Sequence, residues 1–277
     1  MDVGIVAKRD SERATSLARA LGERLAAGGV ERRFDTATAA ALGCADEGSP
    51  VEALDGCDLV VSIGGDGTFL LAARGAHGPP VLGVNLGEVG FLNAVGPAEA
   101  EAVVWRAVEA CRRGELPVRT LPRLAAHTDD WEGEPAVNEI VVQGPRRGRG
   151  GGGHVEVRVD GSTYDAGAGD GVLVATPTGS SAYNLSERGP LVHPGVDALV
   201  VNGMAVHGGM PPLVLPADRD VTVSATVSDV DRVVVASDGR DRHEFDAGTT
   251  VHVGLADQPV RLAGPAADYF RALEKLD

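Results

Sequence analysis

The chain has 277 residues, of which 43% are hydrophobic and 4% aromatic, so it can form more than one core built mainly from Val, Ala and Leu. Its formal net charge of −15 excludes nucleic acid and anionic membranes as general partners, because both would repel it. No run approaches the roughly 20 apolar residues needed to cross a bilayer, and the N-terminus lacks the layout of a secretory signal, so we expect a cytoplasmic protein.

The basic residues are almost all arginine, since Lys8 and Lys275 are the only lysines. An acidic, lysine-poor surface is favoured in a salt-rich cytoplasm, where charge repulsion is screened. GC-rich codon usage would enrich arginine, alanine and glycine in the same way. Cys44, Cys57 and Cys111 are odd in number and widely spaced, which predicts reduced structural thiols and no zinc site.

Strand and helix signals alternate over the first part of the chain, which favours a parallel sheet covered by helices. The strand signals are short apolar runs, and the helix signals are apolar residues three or four positions apart. The signals lie at 3–7, 58–63 and 81–85 for strands, and at Leu17, Leu21 and Leu25 and at Ala100, Val104 and Val108 for helices. We therefore expect an α/β domain with a Rossmann-like sheet over residues 1–118.

Beyond this point apolar and polar residues alternate with a period of two. Val155, Val157 and Val159, for example, are separated by charged residues. This pattern is typical of antiparallel sheets with one face in water, so we expect a mainly-β domain over 119–257. Further strands are predicted at 221–227, 232–236, 250–253 and 260–262. Residues 258–277 are expected to contribute a helix, over 266–275, that returns to the first domain.

A glycine-rich segment occupies residues 146–153. Its glycines do not support regular structure, so we predict a mobile loop. Arg146, Arg147 and Arg149 make this loop basic, and it could close over phosphates. A hairpin connection with incidental charge is the alternative interpretation.

The strongest local signal is the run Gly64-Gly-Asp-Gly-Thr68, directly after the apolar run 58–63. Glycines let the backbone turn sharply and expose N–H groups to an anion, and a following helix adds a favourable dipole. In an open parallel sheet, ligands bind beyond the carboxyl ends of the strands. The run therefore predicts a phosphate site, with Asp66 pointing into the same crevice. A tight turn in which Asp66 caps the helix is the structural alternative.

This glycine run is shared by NAD kinases and by diacylglycerol and sphingosine kinases. Three further segments resemble the NAD kinases in particular. They are residues 85–92 (NLGEVGFL), the pair Asn138-Glu139, and residues 170–183 (DGVLVATPTGSSAY), followed by Ser186. Because the four motifs follow the family's order over most of the chain, the chain is identified as resembling the ATP- or polyphosphate-dependent NAD kinases. The composition adds the expectation of a halophilic archaeal source.

The resemblance implies transfer of a phosphate from ATP or polyphosphate to the 2′-hydroxyl of the adenosine ribose of NAD. Asp66 matches the family's proposed general base. Gly64, Gly65, Gly67 and Thr68 would shape the phosphate pocket. Mg²⁺ would be bound through the triphosphate, so no protein ligand to a metal is named. A homodimer or homotetramer is implied as well.

The resemblance also implies a set of residues that contact NAD. Asn138 and Glu139 would hold its ribose and base, Asp170 would bind the dinucleotide, and Tyr183 would offer a ring for stacking. His154 lies where the family often has a histidine. The full expected set is Asp66, Gly67, Asn138, Glu139, His154, Asp170, Ser181, Ala182, Tyr183 and Ser186.

Several positions depart from the family's pattern. Ser181 stands where threonine is usual, Ala168 where many members have arginine, and Glu88 where a basic residue or histidine is common. Residues 200–214 stand where the family has a segment of the form Thr-Pro-Ile-x-Pro-His-x-Leu-x-x-Arg-Pro. Only His207 and a later proline can be aligned with that segment. These departures concern the part of the family's pattern that holds the nicotinamide half of NAD.

Two alternatives to an NAD kinase remain open from the sequence. One is a kinase of a lipid or another small alcohol in the same superfamily, although no basic or amphipathic membrane-docking stretch supports it. The other is a catalytically weak regulator that binds the dinucleotide without turnover. Asp66 argues against the regulator, because a pure binder needs no base.

Overall fold

The computed structural model describes residues 1–87, 90–145, 153–205, 209–226 and 232–274. Contacts divide the chain into two compact units, Met1–Leu121 with Val260–Asp277 and Pro122–Pro259. Within the described residues, no helix is both long and apolar enough to cross a membrane. Glu88, His207 and residues 146–152 of the glycine-rich segment lie outside the described residues.

The secondary structure comprises strands in both units and helices mostly in the first. The strands are β1 Asp2–Ala7, β2 Glu31–Asp35, β3 Gly48–Ser49, β4 Leu59–Ile63, β5 Val81–Val84, β6 Val118–Leu121, β7 Leu124–His127, β8 Glu139–Gln143, β9 Gly153–Val159, β10 Ser162–Gly169, β11 Gly171–Ala175, β12 Ala198–Met204, β13 Leu213–Pro216, β14 Val221–Thr226, β15 Arg232–Ser237, β16 Arg240–Asp246, β17 Thr250–Leu255 and β18 Val260–Ala263. The α-helices are α1 Glu12–Ala27, α2 Thr36–Leu42, α3 Asp66–Gly75, α4 Ala100–Arg112, α5 Tyr183–Ser186 and α6 Tyr269–Leu273, with 3₁₀ turns at Ala45–Glu47, Val51–Gly56 and Thr178–Ser181.

The first unit contains a seven-stranded sheet with the order β3-β2-β1-β4-β5-β18-β6. Every neighbouring pair from β3 to β18 is parallel, which confirms the expected α/β class. Strand β6 departs from it, because it runs antiparallel to β18 at the edge of the sheet. These two strands are far apart in the sequence, and periodicity within a short window does not report which distant strand is the partner.

Helix α1 covers this sheet with a narrow apolar face. It begins after Ser11, whose side-chain oxygen accepts a hydrogen bond from the N–H of Ala14 at 3.3 Å. Ala18, Leu21 and Leu25 are buried on the helix in the same cluster as the strand residues, whereas Leu17 of the predicted stripe is only partly buried. The small side chain of Ala18 lets the helix approach the sheet closely.

The C-terminal segment differs from the single helix expected over 266–275. Val260–Ala263 forms β18 in the sheet of the first unit, so the strand predicted at 260–262 exists but belongs with the parallel strands. Helix α6 covers only Tyr269–Leu273. It starts late because the Asp268 side chain accepts hydrogen bonds from the N–H groups of Phe270 and Arg271, at 3.1 and 3.2 Å. Residue 275 lies outside the described residues.

The second unit consists of two antiparallel sheets, as the alternation predicts. Their strand orders are β10-β9-β14-β17-β7 and β13-β12-β11-β8-β15-β16. One hydrophobic cluster draws on both, for example on Val157 and Val223 from the five-stranded sheet and Val142 and Val174 from the six-stranded sheet. Shared burial of this kind is typical of a β-sandwich.

The six-stranded sheet also buries its second face. Val141, Leu173 and Val200 form a smaller cluster there, and Tyr183 packs against it. Strands β8 and β11 are therefore buried along their whole length. β11 and residues 140–142 of β8 are continuously apolar, whereas β8 begins and ends with the buried polar residues Glu139 and Gln143. The segment that follows β11 covers this face and carries four of the residues singled out from the sequence, Ser181, Ala182, Tyr183 and Ser186.

Candidate functional site

The glycine turn, residues 64–68, connects β4 to α3 at the carboxyl end of the parallel sheet. The N–H of Gly64 donates to the carbonyl of Val84 at 2.9 Å, and a Cβ at Gly64 would overlap the side chain of Thr68. Gly65 and Gly67 are exposed, with no atom within 4 Å of the place where a Cβ would be. Because the first N–H groups of a helix have no acceptor within it, the open start of α3 can receive an anion.

Asp66 is the first residue of α3, and the segment after β5 holds its side chain. Its carboxylate accepts hydrogen bonds from the backbone N–H groups of Phe91 and Leu92, both at 3.3 Å, and from the side-chain amide of Asn93 at 3.4 Å. A Cβ at Gly90 would overlap this carboxylate. The fold thus brings two of the sequence motifs, 63–69 and 85–92, into direct contact through Asp66. An ionised carboxylate offers about four acceptor sites, so it can still accept a substrate proton.

Sequence reasoning missed Asn93. Its side chain is fully buried and donates to Asp66, while its oxygen has no hydrogen-bond partner. A Cβ at Gly83 on β5 would overlap that oxygen, so the strand needs a glycine beside the asparagine. A polar residue within the apolar run Phe91-Leu-Asn-Ala-Val95 is the signal that identifies it in the sequence.

Positive charge also lies at this edge of the sheet. Lys8 follows β1, and its N–H donates to the carbonyl of Ile63 at 2.8 Å, so it lies beside the glycine turn. Its side chain is exposed. Arg13, in the first turn of α1, donates to the carbonyl of Leu86 at 2.6 Å. Neither residue was singled out from the sequence, although a lysine directly after the first strand, in a chain with two lysines, could have been.

The pair Asn138-Glu139 leads into β8 of the second unit, and two segments distant in sequence hold its backbone. The carboxylate of Asp238 accepts hydrogen bonds from the N–H groups of Val137, Asn138 and Glu139, at 2.9, 2.7 and 3.2 Å. The N–H of Thr176 donates to the carbonyl of Asn138 at 2.8 Å, and its hydroxyl donates to that of Val137 at 2.7 Å. Asp238 was missed at the sequence level, but an Asp-Gly pair between two strands is a hairpin signal that could have drawn attention to it.

Glu139 is a buried carboxyl at the start of β8. Its side chain is 6% exposed, and Oε2 has no hydrogen-bond partner. Burial, and then the negative charge of Asp238, raise the pKa of Glu139 to about 8, against the opposing effect of a hydrogen bond from the backbone of Tyr183. A carboxyl with this pKa is mostly neutral at neutral pH, so it can donate a hydrogen bond as well as accept one.

A cavity of about 230 Å³ opens beside Glu139 in the second unit. Two of the residues expected to bind NAD, Glu139 and Tyr183, line it together with Arg242 and several residues of β8 and the β15–β16 hairpin. The cavity combines an aromatic ring, a neutral acid and a guanidinium. Such a combination of apolar surface with a few convergent polar groups is typical of a small-molecule site.

The signature 170–183 folds against the Asn138-Glu139 pair. Asp170 precedes β11, and its N–H donates to the carbonyl of Met204 at 2.8 Å. After β11 the chain turns through Thr178–Ser181, and a Cβ at Gly179 would overlap the carbonyl oxygen of Asn138. The glycine is therefore needed where the two segments cross.

Within the signature, the polar residues divide into internal supports and accessible groups. Ser180 and Asn184 are buried; the Ser180 hydroxyl donates to the carbonyl of Pro177 at 2.7 Å, and the Asn184 amide to that of Pro190 at 3.0 Å. The expected contact residues are more accessible: Ser181, Ala182 and Tyr183 are partly exposed and Ser186 is exposed. The hydroxyl of Ser181 donates to the backbone carbonyl of Thr178 at 3.3 Å.

His154 lies on a different sheet from the other expected NAD contacts. It is an exposed residue of β9 in the five-stranded sheet, opposite Ala168 of β10. Asn138, Glu139 and Tyr183 belong to the six-stranded sheet and the segment covering it. Neither His154 nor Asp170 lines the cavity beside Glu139.

Family models match both parts of the chain. Residues 3–111 match the model of the ATP-NAD kinase N-terminal domain, and residues 137–264 match that of the ATP-NAD kinase C-terminal domain. The NAD kinase of Halorubrum lacusprofundi is 58% identical over 276 residues, and that of Haloarcula marismortui is 55% identical over 284 residues; each match covers 100% of both chains. These relatives are halophilic archaeal proteins, the source that the acidic, lysine-poor composition indicates.

Solved structures of the same kind share the fold. An NAD kinase from Archaeoglobus fulgidus in complex with ATP has a TM-score of 0.77 and 27% identity, and the match covers 100% of this chain and 97% of that one. A yeast NADH kinase complexed with NADH has a TM-score of 0.84 and 22% identity, with 100% and 87% covered. The second likeness, at this identity, concerns the fold alone.

Proposed function

The chain belongs to the NAD kinase family and is a phosphotransferase that converts NAD to NADP, and from this premise we propose how its residues carry the reaction. A γ-phosphoryl group passes to the 2′-hydroxyl of the adenosine ribose of NAD. We take ATP as the donor, because a related NAD kinase was solved with ATP, and polyphosphate as the alternative.

The glycine turn would receive the phosphates of the donor. The open start of α3 supports this assignment, because exposed Gly65 and Gly67 leave room for phosphate oxygens to approach the backbone. Lys8 adds a positive charge that partly neutralises the transferred group. Phosphoryl transfer depends mainly on positioning and on charge neutralisation, and the turn offers both.

Asp66 would be the general base of the reaction. Three N–H donors fix its carboxylate, so its direction is set before substrate arrives. It would accept the proton of the 2′-hydroxyl as the phosphoryl group arrives, a contribution of about 10²–10⁴ in rate. This fixed carboxylate next to an anion-binding turn is the observation that carries the proposal.

Residues of the second unit would hold NAD. The cavity beside Glu139 offers Tyr183 for stacking and the Glu139 carboxyl for a hydrogen bond to base or ribose. The further proposed contacts are Gly67, Asn138, His154, Asp170, Ser181, Ala182 and Ser186.

Mg²⁺ would reach the protein on the triphosphate. The Thr68 hydroxyl is an oxygen donor of the kind that Mg²⁺ accepts, so the glycine turn fits such a complex while the Asp66 carboxylate stays available as the base. The ion would neutralise charge on the phosphates as the group is transferred. We further propose a cytoplasmic homodimer or homotetramer, which light scattering of the purified protein would test.

The experiment compares wild type with Asp66→Asn and with Asp46→Asn. Asp46 is an exposed residue of the 3₁₀ turn Ala45–Glu47, so its variant is a matched control for loss of one carboxylate. With NAD, ATP and Mg²⁺ supplied, we expect Asp66→Asn to lose about 10² or more in kcat, and Asp46→Asn to match wild type. NADP is measured with an NADP-specific dehydrogenase.

The same assay separates the alternatives. A wild type that binds NAD but forms no NADP from ATP or polyphosphate would make the protein a dinucleotide-binding regulator. If Asp66→Asn keeps its kcat while folded, Asp66 is not the base.

A further inference from the structure

The tip of the β15–β16 hairpin lies against the pair Asn138-Glu139. Asp238 and Gly239 form its two-residue loop between Ser237 and Arg240, which face each other in the ladder. Both loop residues have positive φ, 48° and 70°. This is the geometry of a type I′ turn, which favours Asn-Gly and Asp-Gly because these residues tolerate the left-handed region.

The turn places the Asp238 carboxylate where it satisfies three consecutive N–H groups. Val137, Asn138 and Glu139 all donate to it, at 2.9, 2.7 and 3.2 Å. In return, the N–H of Asp238 donates to the carbonyl of Glu139 at 3.0 Å. Val137 and Glu139 are buried, so their N–H groups would otherwise be left without water or a partner.

The opposite side of the same backbone is held by neutral groups. Thr176 bonds the carbonyls of Val137 and Asn138, and Gly179 packs on the carbonyl of Asn138. Asp238 is the charged partner of the N–H side, and hydrogen bonds to an ionised acceptor are about twice as strong as neutral ones. The direction of the Asn138 and Glu139 side chains thus depends on a hairpin about 100 residues further along the chain.

We propose that Asp238 is the positioning residue of the NAD site: it fixes the backbone of residues 137–139, so that the side chains of Asn138 and Glu139 meet NAD in one orientation. The assignment rests on the proposed function of these two residues. Asp238 acts on NAD through them, since it does not line the cavity itself.

The charge of Asp238 gives the same residue a second effect. It lies close enough to Glu139 to raise the pKa of that carboxyl, after the larger effect of burial. Other charges face the pair as well: Arg242 lines the cavity beside Glu139, and Arg123 interacts with Asp238. The Tyr183 backbone N–H favours the charged form of Glu139. Removal of the Asp238 charge alone should therefore lower the pKa of Glu139.

Two variants test the assignment without disturbing the turn. Asp238→Asn keeps the shape and makes the favoured Asn-Gly turn, but one acceptor oxygen becomes an amide that faces N–H donors. Asp238→Gly also tolerates positive φ, and it removes all three acceptor contacts. Glu244→Gln, on the exposed face of β16 in the same hairpin, is the matched control for loss of one negative charge.

Isothermal titration calorimetry measures the Kd for NAD. ATP is left out, so that the result does not depend on turnover. We expect the Kd for NAD to rise about tenfold in Asp238→Asn and more in Asp238→Gly, because hydrogen bonds to a charged group are lost. The Kd of ATP should change by less than about twofold in both, since the donor site lies in the glycine turn. Glu244→Gln should bind NAD as wild type does.

The pH dependence of the Kd for NAD separates positioning from a general loss of stability. In wild type it should change around pH 8, where Glu139 titrates, and the midpoint should move to lower pH in Asp238→Asn. A wild-type affinity and an unmoved midpoint in the folded Asp238→Asn protein would overturn the assignment while leaving the proposed function intact. Failure of the wild type itself to bind NAD would overturn both.

Discussion

At the scale of single residues, two carboxylates have opposite environments. Asp66 is held by N–H donors, which suit a negatively charged acceptor. Glu139 is buried with an unpartnered oxygen beside the charge of Asp238, and its pKa is raised to about 8. Two carboxyl groups placed in different surroundings can take different roles at one pH, the first as a base and the second as a neutral hydrogen-bond donor.

The pKa of Glu139 also predicts how stability depends on pH. A carboxyl with a raised pKa binds a proton more tightly in the folded state, so its contribution is fully present below the ordinary value of 4.5 and is lost as the pH rises through about 8. In the Glu139→Gln variant the side chain at this position is neutral at every pH. We expect it to melt above wild type by at least about 2 °C at about pH 8, and close to wild type at about pH 5.

Differential scanning calorimetry at the two pH values measures this difference. Glu244→Gln, which removes an exposed carboxylate, should show no difference that depends on pH in this range. A Glu139→Gln protein that melts below wild type at both pH values would show that the carboxylate is charged and stabilising in the fold.

At the scale of elements, each half of the candidate site depends on a tight turn in which a Cβ would not fit. The turn after β11 crosses the Asn138-Glu139 pair at Gly179, and the turn after β4 is closed by Gly64 against Thr68. Glycine is needed at Gly179 because the backbone of Asn138 lies too close for a Cβ, and at Gly64 because the side chain of Thr68 does. Helices and strands carry the candidate side chains, and these close contacts at the turns fix the backbone beside them.

Gly179→Ala tests the first of these crossings. Its new Cβ would overlap the carbonyl oxygen of Asn138, which is backbone and cannot rotate away. We expect a loss of about 1–3 kcal/mol in the free energy of unfolding, together with weaker NAD binding. Gly254→Ala on β17 is the control, because no atom lies within 4 Å of its Cβ position. Equal melting and NAD affinity in both variants would contradict a close fit between Gly179 and the Asn138 carbonyl.

At the scale of the whole molecule, charge is the dominant feature. A net charge of −15 on 277 residues opposes compaction through self-repulsion, and salt screens it. The exposed ion pairs, such as Arg158 with Glu156, offset only a small part of this repulsion, because surface pairs contribute little.

Salt should therefore stabilise and activate the protein. We expect both the melting temperature and the rate of NADP formation to rise between about 0.1 M and about 2 M KCl, since the Debye length falls from about 10 Å to below 3 Å. Thermal melts and the coupled assay, each over a KCl series, measure this. A melting temperature that falls steadily with KCl would contradict the halophilic interpretation.

The sequence by itself determined the features that short windows encode. The glycine turn was visible because sharp backbone turns need glycine, and the antiparallel sheets were visible because alternating residues face opposite sides. The order of the four motifs along the chain predicted the family and its activity, and the comparisons with known proteins confirmed both. The assignment of individual site residues stays a prediction that the variants above address.

Only the tertiary structure decided which distant segments meet. Three contacts join parts that are far apart in the chain. Strand β18 pairs with β6, and Asp66 accepts hydrogen bonds from Phe91, Leu92 and Asn93. Asp238 accepts hydrogen bonds from the backbone of residues 137–139. Local propensity and periodicity say how a segment folds, but strand order and register determine its neighbours. The residues that orient the site were therefore missed: an asparagine within an apolar run and an Asp-Gly pair are visible in the sequence, but the distant groups that they contact are not.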